Sequence, residues 1–365
     1  MKKKAMKRCN NCILPTSYPN LTFDRNGTCH LCNNIPEIEY LGKDKLKSKV
    51  DEIHSLYLDR NKDFDCILAF SGGVDSTYLL QILTEEIGLK VLAYTVDNGF
   101  IPDNTMDNIK KITKTLNVDL VIEKNPLTKL NFKHVMNSWL KNPTAPMIGL
   151  LCTGCRIGMT DSILGFSKKC NIPLIIKGET PFDKYQTYKF DIMKNNVKSK
   201  KFSSFVIGLF KQYLKNPNWL LNLNYLKTEF NELYYHYYKK IQYNTDGVVI
   251  IEPFLTYLNW TEDDAIRTVN NLKWEENSTV NFKSRSDCDL AILKLFLYKE
   301  LLGYNDKDDT LSAMVRHKQI DRPTALKRLE IENNIDITII KNILEKHGVD
   351  YKRFVTALKK IKRQE

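Results

Sequence analysis

No run of about 18 apolar residues occurs anywhere in the chain, so nothing reads as a membrane-spanning helix. The start, MKKKAMKRC, is basic but has no apolar stretch behind it; a secretory signal is therefore not expected, and the cytoplasm is the expected location. The Gly-x4-Gly-Lys-Ser/Thr pattern is missing, which excludes the loop used by nucleotide hydrolases that act on the terminal phosphate. No internal repeat is evident. The six histidines have no ligand partners near them in sequence, and lone imidazoles such as His30 and His317 read as structural groups.

What is present is ordinary in bulk and unusual in cysteine. The 365 residues, 42% hydrophobic and 27% charged, suit a folded chain of roughly two domains at about 150 residues each. A net charge of +12 would suit an anionic partner such as a nucleotide or RNA, but the basic residues are scattered and the signal is unspecific. Of the nine cysteines, six fall in Cys-x-x-Cys pairs. In a reducing compartment clustered pairs mean metal or catalysis rather than disulfides.

Cys9, Cys12, Cys29 and Cys32 follow a C-x2-C-x16-C-x2-C spacing. Each pair can aim two thiolates at one centre, and Pro15, Pro19 and Asn26-Gly27 supply turn residues for a hairpin between them. Four sulfurs close a tetrahedral zinc shell with no open position, so residues 1–40 read as a structural zinc ribbon, a module too small to hold itself together without such a staple. A helical connector, 41–62, carries Leu46, Val50, Ile53, Leu56 and Tyr57 at helical spacing.

From residue 63 to about 280 short apolar runs alternate with helical patterns: DCILAF, KVLAYTV, DLVIEK, IPLIIKG and GVVIIEPF as strands, with amphipathic segments between them. That alternation predicts an α/β fold with a doubly wound parallel sheet. Thr261 is the expected N-cap of a late helix. Residues 185–245 interrupt the pattern with Lys- and Tyr-rich sequence, read either as a lid or partner-binding surface or as a helical hairpin with Trp219, Leu220, Tyr234 and Tyr238 in its core, the latter favoured, and 281–365 read as a helical C-terminal region. Cys66 and Cys170 occupy apparent core positions.

The most specific chemistry lies in SGGVDST, Ser71 to Thr77, where a strand hands over to a helix. Adjacent glycines let the backbone approach an anion, and the helix start behind them offers unpaired N–H groups; Ser71, Ser76 and Thr77 add hydroxyls. The stretch resembles the signature of the PP-loop ATP pyrophosphatases, the superfamily of GMP, NAD and asparagine synthetases and tRNA thiolation enzymes. The resemblance implies that Ser71, Gly72, Gly73, Val74, Asp75, Ser76 and Thr77 hold the β- and γ-phosphates of ATP as a leaving pyrophosphate, with Asp75 and Ser76 in catalytic roles. Asp97 in TVDNGF and Gly178 in KGETPFD end strands facing the same crevice. Glu179, a third catalytic candidate, or Asp183 would bind magnesium.

The ribbon, the loop, the KGE segment and HKQIDRPTALKRL together are similar to the N-acetyl sugar amidotransferases of surface-polysaccharide biosynthesis. That family implies adenylation of the acetamido oxygen of a nucleotide-linked sugar, loss of pyrophosphate and attack by ammonia to give an amidine, with ATP, Mg2+ and Zn2+ required. With no cysteine at the first position and no Gly-x-Cys-x-Gly elbow, a separate glutaminase subunit is the expected ammonia source.

The alternative is sulfur transfer. Some tRNA thiolation enzymes of the superfamily combine terminal zinc modules with an internal Cys-x-x-Cys and one distant cysteine holding a 4Fe-4S cluster. Cys152, Cys155 and Cys288 match such a set, leaving one iron open; tRNA would then be the partner. Two thiols packed at a helix start, or a redox-active pair, are the other readings of Cys152 and Cys155.

Overall fold

The computed structural model describes residues 6–182, 188–194, 196–198, 202–217, 244–245, 247–282 and 286–361. Trp219, Leu220, Tyr234, Tyr238 and Asp183 lie outside them.

Six strands form one sheet in the order β3-β2-β1-β4-β6-β5: β1 Cys66–Ala69, β2 Val91–Asp97, β3 Asp119–Lys124, β4 Leu174–Lys177, β5 Asn244–Thr245 and β6 Val248–Ile251. The first four and β6 are parallel, in register through pairs such as Leu68 with Ala93 and Leu68 with Ile176. The two-residue β5 runs antiparallel on the β6 edge and was not foreseen from the sequence. Strand order reverses between β1 and β4, opening a crevice at their carboxyl ends, where α/β sheets bind ligands.

Both faces of the sheet are covered, which is why the central strands β1, β4 and β6 are short apolar runs, while the edge strand β3 keeps Asp119, Glu123 and Lys124. Cys66, Leu68, Ala93, Leu174 and Ile176 pack on one side with Leu46, Val50 and Ile53 of the connector helix Lys43–Leu56 and with Ala265 and Val269 of the helix Glu262–Asn271. Their sequence neighbours Ile67, Leu92, Tyr94 and Ile175 face the other side, against Ile163 and Leu164 of the helix Thr153–Cys170. The alternation is that of pleated strands. Leu56 departs from the expected connector stripe: the helix ends at that residue, and its side chain is 70% exposed. Cys170, expected in the core, is half-buried at the last turn of its helix. Thr261 caps as expected, its Oγ1 accepting the Asp264 N–H at 3.2 Å.

The ribbon does not stand apart. Tyr18 and Leu14 join a second core containing Phe132 and Trp139 of the helix Pro126–Lys141 and Leu293 and Leu297 of the helix Asp289–Leu302. Among the described residues no helix is long and apolar enough to cross a membrane.

Candidate functional site

The loop is shaped by its glycines and braced from a distant part of the chain. Gly72 has φ +74°, and a Cβ there would lie 2.5 Å from Ile109 Cγ1, so both conformation and space require glycine. A Cβ on Gly73 would meet Asp287 Oδ2 and Ser71 Oγ, each at 3.2 Å. Ser71 Oγ lies 3.1 Å from Ser76 Oγ and accepts the Gly73 N–H at 3.2 Å. Behind this turn the helix Val74–Gln81 presents its amino end, the electropositive end of its dipole.

Among the described residues two indoles reach the loop. Trp274 Nε1 donates to the Gly72 carbonyl at 2.8 Å, and Trp260 Nε1 donates to Asp75 Oδ1 at 2.9 Å. Gly178 leaves β4 beside the loop: a Cβ there would lie 3.4 Å from Ser76 Cα. Glu179 follows it, exposed. Asp97 ends β2 with its Oδ1 accepting the Gly99 N–H at 2.9 Å. Ser71 is exposed, Ser76 is 6% exposed and Thr77 is fully buried with no partner for its Oγ1, so within the motif the hydroxyls differ sharply in access. A cavity adjoins the loop, lined on one side by Asp75, Phe182 and Trp260 and on the other by Lys307, Arg328 and Glu332. Its charged wall is internally paired, Lys307 with Glu332 at 2.8 Å and Arg328 with Glu262 at 2.6 Å.

The two cysteine groups are built differently. In the ribbon, sulfur separations of 3.5 Å (Cys29 to Cys32), 3.7 Å (Cys12 to Cys29) and 3.9 Å (Cys9 to Cys32) bracket the edge of roughly 3.8 Å expected of four thiolates about 2.3 Å from a tetrahedral zinc. All four ligand atoms lie within 4.8 Å of one another. Thiol bonds from Cys29 and Cys32, helped by the Arg316 charge, hold Cys12 far below the ordinary thiol range, while the bonds shared with Cys12 and burial push Cys32 up. Such a set fits a divalent ion whose entry takes up the remaining thiolates.

Cys152, Cys155 and Cys288 are half-buried. Lys294 Nζ donates to Cys152 Sγ at 3.1 Å, and Asn98 Nδ2, just past β2, donates to Cys155 Sγ at 3.0 Å. Enclosure of the Cys288 thiol raises its pKa well above the ordinary value, and the nearby Cys155, Cys152 and Asp287 charges add to the rise. The structure therefore brings these three cysteines into one neighbourhood, and Asp287 ties it to the Gly73 side of the loop. They do not form a set with all ligand atoms within 4.8 Å of one another, as the ribbon thiols do. Sequence reasoning missed Trp260, Trp274, Asp287, Asn98 and Lys294, none of which falls in a recognisable spacing.

No protein-family model matches the chain. An uncharacterized protein of Methanocaldococcus jannaschii is 31% identical over 140 residues, 38% of this chain and 47% of that protein, so the match spans about half the length of that relative. Among solved structures the chain is similar to an NMN synthetase from Francisella tularensis, with a TM-score of 0.36 and 10% identity over 85% of this chain and 98% of the other. It is also similar to a U34-tRNA thiolase from Methanococcus maripaludis that holds a 4Fe-4S cluster, with a TM-score of 0.32 and 13% identity over 90% and 88% of the two chains. A third likeness is to an NH3-dependent NAD synthetase from Campylobacter jejuni, with a TM-score of 0.28 and 15% identity over 64% and 94% of the two chains. None of these superpositions is close.

Proposed function

We propose that the chain is an ATP-dependent enzyme that forms AMP and pyrophosphate, and that it serves as an amidotransferase on an N-acetylated, nucleotide-linked sugar. The observation that carries the ATP chemistry is the Gly72-Gly73 turn at the reversal of strand order, set on the amino end of the helix Val74–Gln81 and touched by Gly178. Backbone N–H groups and the helix end favour an anion there, and the Ser71 and Ser76 hydroxyls can donate to it. Magnesium, when bound, neutralises phosphate charge. Glu179 would hold it.

In this reading the acceptor's amide oxygen attacks the α-phosphorus, and the bond from that phosphorus to the bridging oxygen breaks. Pyrophosphate leaves along the loop. Ammonia then adds to the activated carbon, the oxygen departs with AMP, and the amidine remains. The loop's contribution is to orient the β- and γ-phosphates as leaving group and to receive their charge without reorganising. A separate glutaminase subunit would supply ammonia. The ribbon fits a structural zinc.

A second reading, sulfur transfer to tRNA, is favoured by one observation: Cys152, Cys155 and Cys288 gather beside the same loop, with Lys294 and Asn98 donating to two of the sulfurs. A 4Fe-4S cluster would supply an iron able to bind sulfide. Product analysis separates the readings. Protein purified under anaerobic conditions is incubated with magnesium, ATP and either ammonium with UDP-N-acetylated sugars, or sulfide with tRNA. AMP and pyrophosphate formed only with the sugar and ammonium support amidotransfer, and formation only with tRNA and sulfide supports thiolation. ADP and phosphate in both would sink the whole reading.

A further inference from the structure

Both indoles that touch the phosphate loop come from the two ends of one helix, Glu262–Asn271: Trp260 precedes it and Trp274 follows it. Their partners differ. Trp274 takes the carbonyl of the glycine whose left-handed φ makes the turn, and Trp260 takes the carboxylate of the second residue of the helix behind it.

A trans peptide is planar, with its carbonyl and the following N–H pointing in opposite directions. No peptide bond in the described chain is cis. Holding the Gly72 carbonyl on the Trp274 side therefore fixes the Gly73 N–H on the opposite side, where it meets Ser71 Oγ at 3.2 Å. Two consecutive glycines give this peptide unit unusual freedom to rotate, since neither flanking residue has a Cβ to restrict it. A single external bond to its carbonyl is then a strong constraint on which way its donor faces. The bond from Trp260 acts on charge. Asp75 borders the adjoining cavity, and its Oδ1 accepts an indole N–H from a residue that lines the same cavity.

We propose that Trp274 and Trp260 are positioning residues of this loop: Trp274 sets the Gly72–Gly73 peptide with its donor on the Ser71 side of the turn, the side on which phosphates would bind, and Trp260 fixes the orientation of the Asp75 carboxylate at the adjoining cavity. The inference rests on reading the loop as a pyrophosphate cradle. It gives the helix Glu262–Asn271 a role beyond covering the sheet, because displacement of that helix moves both indoles and so alters the loop.

The test is calorimetric titration of the full chain with magnesium pyrophosphate, alongside intrinsic tryptophan fluorescence. Trp274→Phe keeps the ring and removes the N–H; it is expected to weaken binding roughly 10-fold, and Trp260→Phe roughly 3-fold, the range of factors that one net hydrogen bond is worth. Trp139→Phe serves as the control. It removes an indole bond of the same kind, to the Thr144 carbonyl at 3.0 Å, from a fully buried ring in the other core. That variant should lose thermal stability yet bind pyrophosphate as the wild type does. Trp274→His restores a ring N–H and should recover part of the affinity. Pyrophosphate should also change the emission of the wild type and of Trp139→Phe, but much less that of the double variant lacking both indoles near the loop. Wild type and both loop variants binding with affinities within 2-fold of one another would overturn the positioning role alone. A wild type that binds neither ATP nor pyrophosphate would overturn the loop reading and this inference with it.

Discussion

The chain carries two groups of cysteines that differ in almost every physical respect. The ribbon thiols are at most 8% exposed, lie within 4.8 Å of one another and are clamped from outside by backbone contacts. Arg322 donates to the Cys9 and Cys12 carbonyls at 3.0 Å, Arg8 pairs with Asp308 at 2.7 Å, and the Ile13 N–H reaches Ser312 Oγ at 3.3 Å. Cys152, Cys155 and Cys288 instead are half-buried, and side chains at the crevice donate to two of the three, Lys294 to Cys152 and Asn98 to Cys155. A closed, enclosed set of four thiols suits a structural ion. Spacing set the two groups apart in the sequence, and the structure adds that their enclosure differs.

That contrast is broken most severely at the ribbon. Cys12→Ser should release the metal and cost on the order of 10 kcal/mol of ribbon stability, because metal affinity in such modules is folding free energy. Metal content by mass spectrometry and the melting temperature would report it, and a variant that melts like the wild type would contradict a structural role. Gly72→Ala tests the crevice. The left-handed φ and the Ile109 contact should cost roughly 2 kcal/mol and reduce pyrophosphate binding beyond detection, while zinc content stays the same.

The seam between ribbon and helical region has its own pH signature. Asp309 is fully buried, and burial, opposed by its bond from Tyr18 and by the Arg316 charge, raises its pKa to about 7. Its folded value thus lies above its unfolded one, so the folded chain binds this proton more tightly. The contribution is fully present below the unfolded pKa and is lost as pH rises through about 7. Asp309→Asn should remove on the order of 2 kcal/mol of that decline between about pH 5 and pH 8, read as a flatter dependence of denaturant midpoint on pH. An unchanged slope would exclude Asp309 as its source. The smallest stability effect is expected at the open set: Cys288→Ser should shift stability by less than about 1 kcal/mol and leave zinc untouched. Under the sulfur reading the same variant loses iron, measured after anaerobic purification.

Much of the sheet was legible in the sequence, for a specific reason. Parallel strands buried on both faces must be short apolar runs, and Cys66–Ala69, Val91–Asp97 and Leu174–Lys177 read as such between helical segments. The two-residue edge strand Asn244–Thr245 is too short to leave a pattern. Within the site, the loop was visible because its glycines and hydroxyls are contiguous. Its braces were not: Trp260 and Trp274 act on residues 185 and 202 positions upstream, and an indole N–H bonded across such a distance has no period to detect. The same holds for Lys294 at Cys152, 142 positions away.

The claim on which the rest depends is that SGGVDST holds the β- and γ-phosphates of ATP. Competition between magnesium pyrophosphate and ATP, in the wild type and in Gly72→Ala, tests it most directly. The account predicts that pyrophosphate displaces ATP completely from the wild type, that AMP competes far more weakly, and that Gly72→Ala binds neither ATP nor pyrophosphate. Failure of pyrophosphate to displace ATP, or wild-type binding of both by Gly72→Ala, would contradict it.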